Sequence, residues 1–204
     1  MLELYTHPNS TYTHRVHIFL KYKQLPYETI HIALDKLENR KKPYLAINPY
    51  GKVPVLKDGD FILAESTAIM RYLEEAFPET IKTIPSEIKM RARMNQFANQ
   101  CETEFCFPAS TVYFAKRFVK EEKWDLGRMK DSTKKVGRHL DILNIHLSNN
   151  DFMIENQFGF VDIMYAPFIK NMSYVEIEVP PNVQKWIDRV LNQTSVNEVL
   201  GNLV

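Results

Sequence analysis

The stretch Gly51–Leu73, GKVPVLKDGDFILAESTAIMRYL, decides how the first part of this chain folds. Val53, Val55 and Leu56 form an apolar run interrupted by Pro54. KDGD reads as a turn, FILA as a second strand, and a helical stripe of Ile69, Leu73 and Ala76 begins just after Glu65 and Ser66. A proline removes a ladder donor, so it does not belong in a central strand unless its nitrogen faces away from the sheet or the chain turns there. Glu65-Ser66 stands at a helix start, where unpaired backbone N–H groups and partial positive charge attract an anion. Glu, Ser and Thr also suit a first turn with no ligand at all.

Upstream, LELY is apolar at alternate positions and runs into the turn-rich THPNST, which predicts a strand ending near Tyr5 and then a loop. Val16, Phe19 and Leu20 predict a helix from about Thr13 to Lys23 that ends before Pro26. PYETIHIAL reads as a second strand and PYLAI as a short helix, so the order is βαβ followed by αββα. Beyond Pro85 strand signals vanish. Met90, Met94, Phe97, Cys101 and Phe105 recur at threes and fours, as do Val136, Leu140, Leu143 and Leu147, and shorter helices are expected at Phe160–Asn171, Asn182–Leu191 and Ser195–Leu200. The reading is an α/β domain over residues 1–77, a linker over 78–85 and an all-helical domain over 86–204.

The formal net charge of +1, from 26 basic and 25 acidic residues, offers no field for nucleic acid or an anionic membrane, and no basic face with an aromatic platform accompanies it. The start, MLELYTHPNS, lacks the basic and apolar segments of a secretory signal, and no later run is apolar enough to span a bilayer, so a cytoplasmic protein is expected. Cys101 and Cys106 fall in one helical stretch, five apart, a spacing that points them to different faces and predicts reduced thiols. His7, His14 and His17 cluster locally without an acidic or cysteine partner at metal-ligand spacing, so no metal is expected.

With NSTYTHRVHIFLKYKQLPYE, NPYGKVPVLKDGDFILAESTAIMRYLEE and FGFVDIMYAPF in this order and spacing, the chain resembles the glutathione transferase superfamily along essentially its whole length, and its serine-type (theta/phi-like) classes in particular. The resemblance implies a thioredoxin-like N-terminal domain with a mixed four-stranded sheet, an all-α C-terminal domain, reduced glutathione as co-substrate, a hydrophobic electrophile as acceptor, and a homodimer with Tyr50 at its interface. It implies a cis Val53-Pro54 bond whose Val53 backbone pairs with the tripeptide as a short added strand. Ser66 becomes the seat of the γ-glutamyl carboxylate and Glu65 the partner of its ammonium. The histidine that phi and theta enzymes carry before NP is absent, and Asn39, Arg40, Lys41 or Lys52 stands in for it at the glycyl end.

The chemistry such an enzyme needs is a thiolate near neutral pH, although a thiol ordinarily titrates around 8.5. A hydroxyl donor and a helix N-terminus stabilise the anion. Tyr5, Thr6, Ser10, Thr11, Tyr12 and Thr13 are the hydroxyls at hand, and by resemblance Ser10 holds the catalytic position of the serine-type classes. Tyr12, Phe105, Ala109 and Tyr113 are candidates for the apolar wall of the electrophile site. The last three are spaced by four and share a helix face unless Pro108 kinks it, and the same face equally suits core packing. Asp162 reads as structural, bonding N–H groups of its own turn or the loop before it. The function expected is conjugation or substitution at an electrophilic carbon, with peroxide reduction, dehalogenation, isomerisation or a non-catalytic protein-binding module as alternatives.

Overall fold

The computed structural model describes residues 1–154 and 156–201, which form two compact units. The first comprises Met1–Lys82 with the end of the chain from Glu198, and the second Thr83–Asn197.

In the first unit β1 (Leu2–Thr6), α1 (Thr11–Tyr22) and β2 (Tyr27–His31) lead through two short 3-10 turns to α2 (Lys42–Ile47), and then β3 (Val55–Asp58), β4 (Phe61–Ala64) and α3 (Ser66–Ala76) follow. The sheet order is β2-β1-β3-β4, with β1 parallel to β2 and antiparallel to β3, and β3 antiparallel to β4. This is the mixed four-stranded sheet expected. Strand alternation gives it two buried faces. Tyr5, Val55 and Ala64 turn toward Ile32, Tyr44 and Ile47 on the α2 side. Leu4 and Leu56, opposite each other in register, belong to the other face, where α1 and α3 lie side by side and bury Val16, Phe19, Leu20, Ile69, Met70 and Leu73.

Pro54 proves to precede β3 instead of interrupting it, and the Val53-Pro54 bond is cis, as the resemblance implied. The turn places the proline outside the ladder, where its missing N–H leaves no gap. The end of α1 is held by an ion pair closed off from water: Lys23 Nζ donates to Glu74 Oε2 of α3 at 2.9 Å and to the Ile81 carbonyl at 2.9 Å.

The second unit is helical: α4 (Ile88–Gln100), α5 (Phe107–Phe118), α6 (Leu126–His146), α7 (Phe160–Ile169), α8 (Pro181–Leu191) and α9 (Thr194–Leu200), whose last residues group with the first unit. Every residue of α7 is buried. Its start is fixed by Asp162, whose carboxylate accepts from Gly159 N–H at 3.1 Å, Met153 N–H at 3.1 Å and Trp186 Nε1 at 2.7 Å. Both its own turn and the preceding loop are thus bonded, as the sequence suggested. Tyr165 of α7 packs edge-on against Trp186 of α8, and Phe105 packs against Tyr165 and His139.

One expectation is overturned. Cys101–Cys106, between α4 and α5, is wound as a π-helix, and the two sulfurs lie 3.4 Å apart instead of on different faces. Pro108 supplies the reason. It has no N–H and its ring crowds the carbonyl four residues back, so the helix widens just ahead of it into i→i+5 bonding.

Candidate active site

Sheet register gathers the candidate residues of the first unit at one edge. Tyr5 pairs with Val55, Val55 with Ala64, and Tyr5 with Ile30, so one row crosses all four strands. Because β3 runs opposite to its neighbours, the chain leaves β1 toward Ser10, enters β3 from Val53-Pro54 and leaves β4 into Glu65-Ser66, all beyond that same row. Residues distant in sequence become neighbours through topology alone.

Ser10 is the N-cap of α1. Its Oγ accepts from Thr13 N–H at 3.2 Å, its own N–H donates to the His7 carbonyl at 3.0 Å, and its carbonyl accepts the first helical bond from His14. Capping uses a lone pair of the hydroxyl and leaves its proton free to donate, so cap and anion donor are compatible roles. Accepting the Thr13 N–H also polarises the hydroxyl toward donation. The loop is braced by His14, whose Nε2 lies 2.9 Å from the Pro8 carbonyl; desolvation by burial pushes this imidazole down to about 4. The contact requires a proton on Nε2, and the lowered value leaves the ring neutral with that proton in place. His17 is held between Thr6 Oγ1 at 3.0 Å and Tyr27 Oη at 2.8 Å, and His7 stacks on His31, so the three histidines of this segment point to separate partners.

The Val53 turn is fixed from behind. The Lys52 carbonyl accepts from Tyr44 Oη at 2.7 Å and Asn48 Nδ2 at 2.8 Å, and Asn39 Nδ2 donates to the Gly51 carbonyl at 2.7 Å. Gly51 has φ +61, and a Cβ there would stand 2.7 Å from the Asn39 carbonyl oxygen, so only glycine fits. Asn39 thus shapes the turn through its amide nitrogen, while its buried Oδ1 has no hydrogen-bond partner among the described residues. The Lys52 side chain is exposed.

Glu65 has φ 73 and ψ 114, a conformation that costs an L-residue of this kind about 1–3 kcal/mol and that tends to persist where function needs it. It is exposed, whereas Ser66, the first residue of α3, is buried. Arg15 is not among the residues that the sequence motifs single out. Its guanidinium is fully buried, lies 4.8 Å from the Tyr12 ring centroid, and donates from Nη1 to Ser66 Oγ at 3.4 Å. It therefore ties the helix that Ser10 caps to the helix that Ser66 begins. The available signal was a charged residue four before Phe19, on the apolar stripe of α1.

The remaining candidates lie in the second unit. Phe105 and Ala109 are buried in its interior. Tyr113 is half-buried, edge-on to Tyr174 and Phe118, with the Arg117 guanidinium 5.8 Å from its ring centroid. The π turn lies ahead of Pro108, so the helix runs on through Tyr113.

Residues 4–80 match the family model described as the glutathione S-transferase N-terminal domain, and residues 112–194 match the glutathione S-transferase C-terminal domain. Glutathione S-transferase F12 of Arabidopsis thaliana is 32% identical to this chain over 82% of its length and 79% of the relative's. Glutathione S-transferase GstB of Escherichia coli is 28% identical over 98% of both chains. Among solved structures, poplar glutathione transferase F1 superposes with a TM-score of 0.90 at 27% identity, covering 98% of this chain and 96% of that one. Together with the cis-proline turn, the Glu65-Ser66 helix start and the capped first helix at one sheet edge, these likenesses show that the chain belongs to the glutathione S-transferase family.

Proposed function

We propose that this glutathione transferase ionises the bound glutathione thiol at Ser10 and directs the thiolate onto an electrophilic carbon of an apolar small molecule. The single observation that supports the reading best is the row Tyr5–Val55–Ala64, beyond which all three candidate segments emerge. The tripeptide backbone pairs with Val53. Its γ-glutamyl carboxylate sits on Ser66 and the N-terminus of α3, its ammonium meets Glu65, and its glycyl carboxylate meets Lys52, with Asn39 and Pro54 shaping the turn. The cysteinyl sulfur then faces Ser10 Oγ, whose proton and the positive end of α1 both favour the anion. Each pKa unit by which the thiol falls corresponds to about 1.4 kcal/mol of preference for the thiolate.

Attack on the electrophile forms the carbon–sulfur bond and releases the leaving group, or adds across an activated double bond. Tyr113, half-buried on the helical run that also carries Phe105 and Ala109, presents a ring suited to such an acceptor. Calorimetric titration with reduced glutathione, followed by an assay on an activated aryl halide, tests the proposal. Binding with turnover is expected, and a folded protein that binds no glutathione contradicts it. The functional form is a two-fold dimer, for which Tyr50, 75% exposed on the loop before Gly51, provides an aromatic anchor. Light scattering at micromolar concentration is expected to give twice the chain mass, and Tyr50→Ala to lower the fraction paired.

A further inference from the structure

The two cysteines of the chain occupy an arrangement that the transferase reaction does not use. In an α-helix, residues five apart diverge by about 140°. The wider π turn brings the fifth residue back to nearly the same side, and Cys101 and Cys106 occupy the ends of such a turn, with their sulfurs in contact at 3.4 Å. Phe107 N–H bonds to the Glu102 carbonyl, five residues back, so the wide winding persists to the end of the segment. Both thiols are closed off from solvent. The Tyr165 hydroxyl contacts Cys101, and that hydroxyl lies 2.7 Å from His139 Nε2.

We propose that Cys101 and Cys106 form a two-thiol redox site that a small peroxide converts into a disulfide within one helix. The sulfur of one cysteine attacks a peroxide oxygen, the O–O bond breaks, and the departing oxygen leaves as water with that thiol's proton, giving a sulfenic acid. The second sulfur attacks the first, the S–OH bond breaks, and hydroxide leaves as water with the second proton. The two sulfurs together lose two electrons, and one hydrogen peroxide becomes two waters. The second step is intramolecular, and its reacting atoms already stand at contact distance. Burial selects the oxidant: the brief openings of a packed helix admit a peroxide and exclude a disulfide as bulky as oxidised glutathione.

The bond closes so short a loop that its effect on the unfolded chain is small, and its consequence is positional. The disulfide fixes the π register, and that register sets the rotational phase of α5, including Tyr113, relative to α4. Oxidation therefore locks the phase that this helix already holds with its thiols free.

The test treats the native protein with hydrogen peroxide, quenches it, unfolds it in denaturant with a maleimide, and measures intact mass and peptide maps. Both thiols should disappear together, with a mass loss of about 2 Da, one intrachain linkage between Cys101 and Cys106, and recovery of both thiols with dithiothreitol. Cys101→Ser and Cys106→Ser should instead gain oxygen at the remaining sulfur. Three results overturn the proposal: thiols that stay reduced, oxygen gain in the wild-type protein without a disulfide, or a disulfide that forms only after denaturant is added.

Discussion

At the scale of single residues, the candidate site works by giving one group two tasks. Ser10 Oγ accepts the Thr13 N–H that caps α1 and retains a proton for an anion. Ser66 is both the first residue of α3 and the acceptor of the buried Arg15 guanidinium. Glu65 takes a positive-φ backbone conformation that glycine would adopt more easily, and its side chain is exposed. Ser66→Ala and Glu65→Ala are therefore expected to leave the fold intact and to weaken glutathione binding by about 1.5–3 kcal/mol each, the scale of a hydrogen bond to a charged group. Calorimetry on the two variants measures this, and affinities equal to wild type in both would remove the proposed seat of the γ-glutamyl end.

At the scale of elements, the Lys23–Glu74 pair joins the end of α1 to α3, and the Ile81 carbonyl shares the ammonium. Breaking it from one side leaves a buried carboxylate without its cation, so Lys23→Met should cost about 3 kcal/mol in urea unfolding. Lys23→Met/Glu74→Gln should recover part of that loss. Much of the architecture was legible in the sequence, because periodicity and turn chemistry are local: the strands, the helix after Glu65, the change to all-helical pattern beyond Pro85 and the role of Asp162 all follow from short windows. The limits of elements shifted where caps decide them, as at α1, which starts at Thr11 because Ser10 caps it. What stayed illegible depends on three-dimensional partners. Arg15 reaches Ser66 across fifty-one residues of sequence. The π turn arises from the demands of Pro108 on a helix whose apolar stripe reads as uninterrupted, and with it the facing of Cys101 and Cys106 was misread.

At the scale of the whole molecule, buried imidazoles give stability a pH dependence. Desolvation by burial holds His14, His17 and His139 near 4, below the 6.5 of an unfolded histidine. The unfolded chain then binds more protons between those values, so the stability these groups contribute is present above pH 6.5 and is lost as pH falls toward 4. Between pH 7 and 5 each accounts for a loss of about 2 kcal/mol. Burial raises Asp162 to about 6, above the usual carboxylate value, and this group acts in the reverse sense, gaining about 1.4 kcal/mol over the same interval. The histidines outweigh it, so the urea midpoint should fall from pH 7 to pH 5, and a midpoint that rises would contradict the neutral imidazoles. The state of the bound glutathione sulfur is read most directly from the ultraviolet thiolate absorbance of the complex followed against pH, for the wild-type protein and for Ser10→Ala. The wild-type thiol is expected to titrate well below the ordinary value of about 8.5. In Ser10→Ala it is expected to rise by about one to two units at nearly unchanged glutathione affinity, with conjugation near neutral pH about 10- to 100-fold slower and partly restored at higher pH. An identical titration and rate in the two proteins would contradict this expectation, leaving Ser10 as the cap of α1 alone.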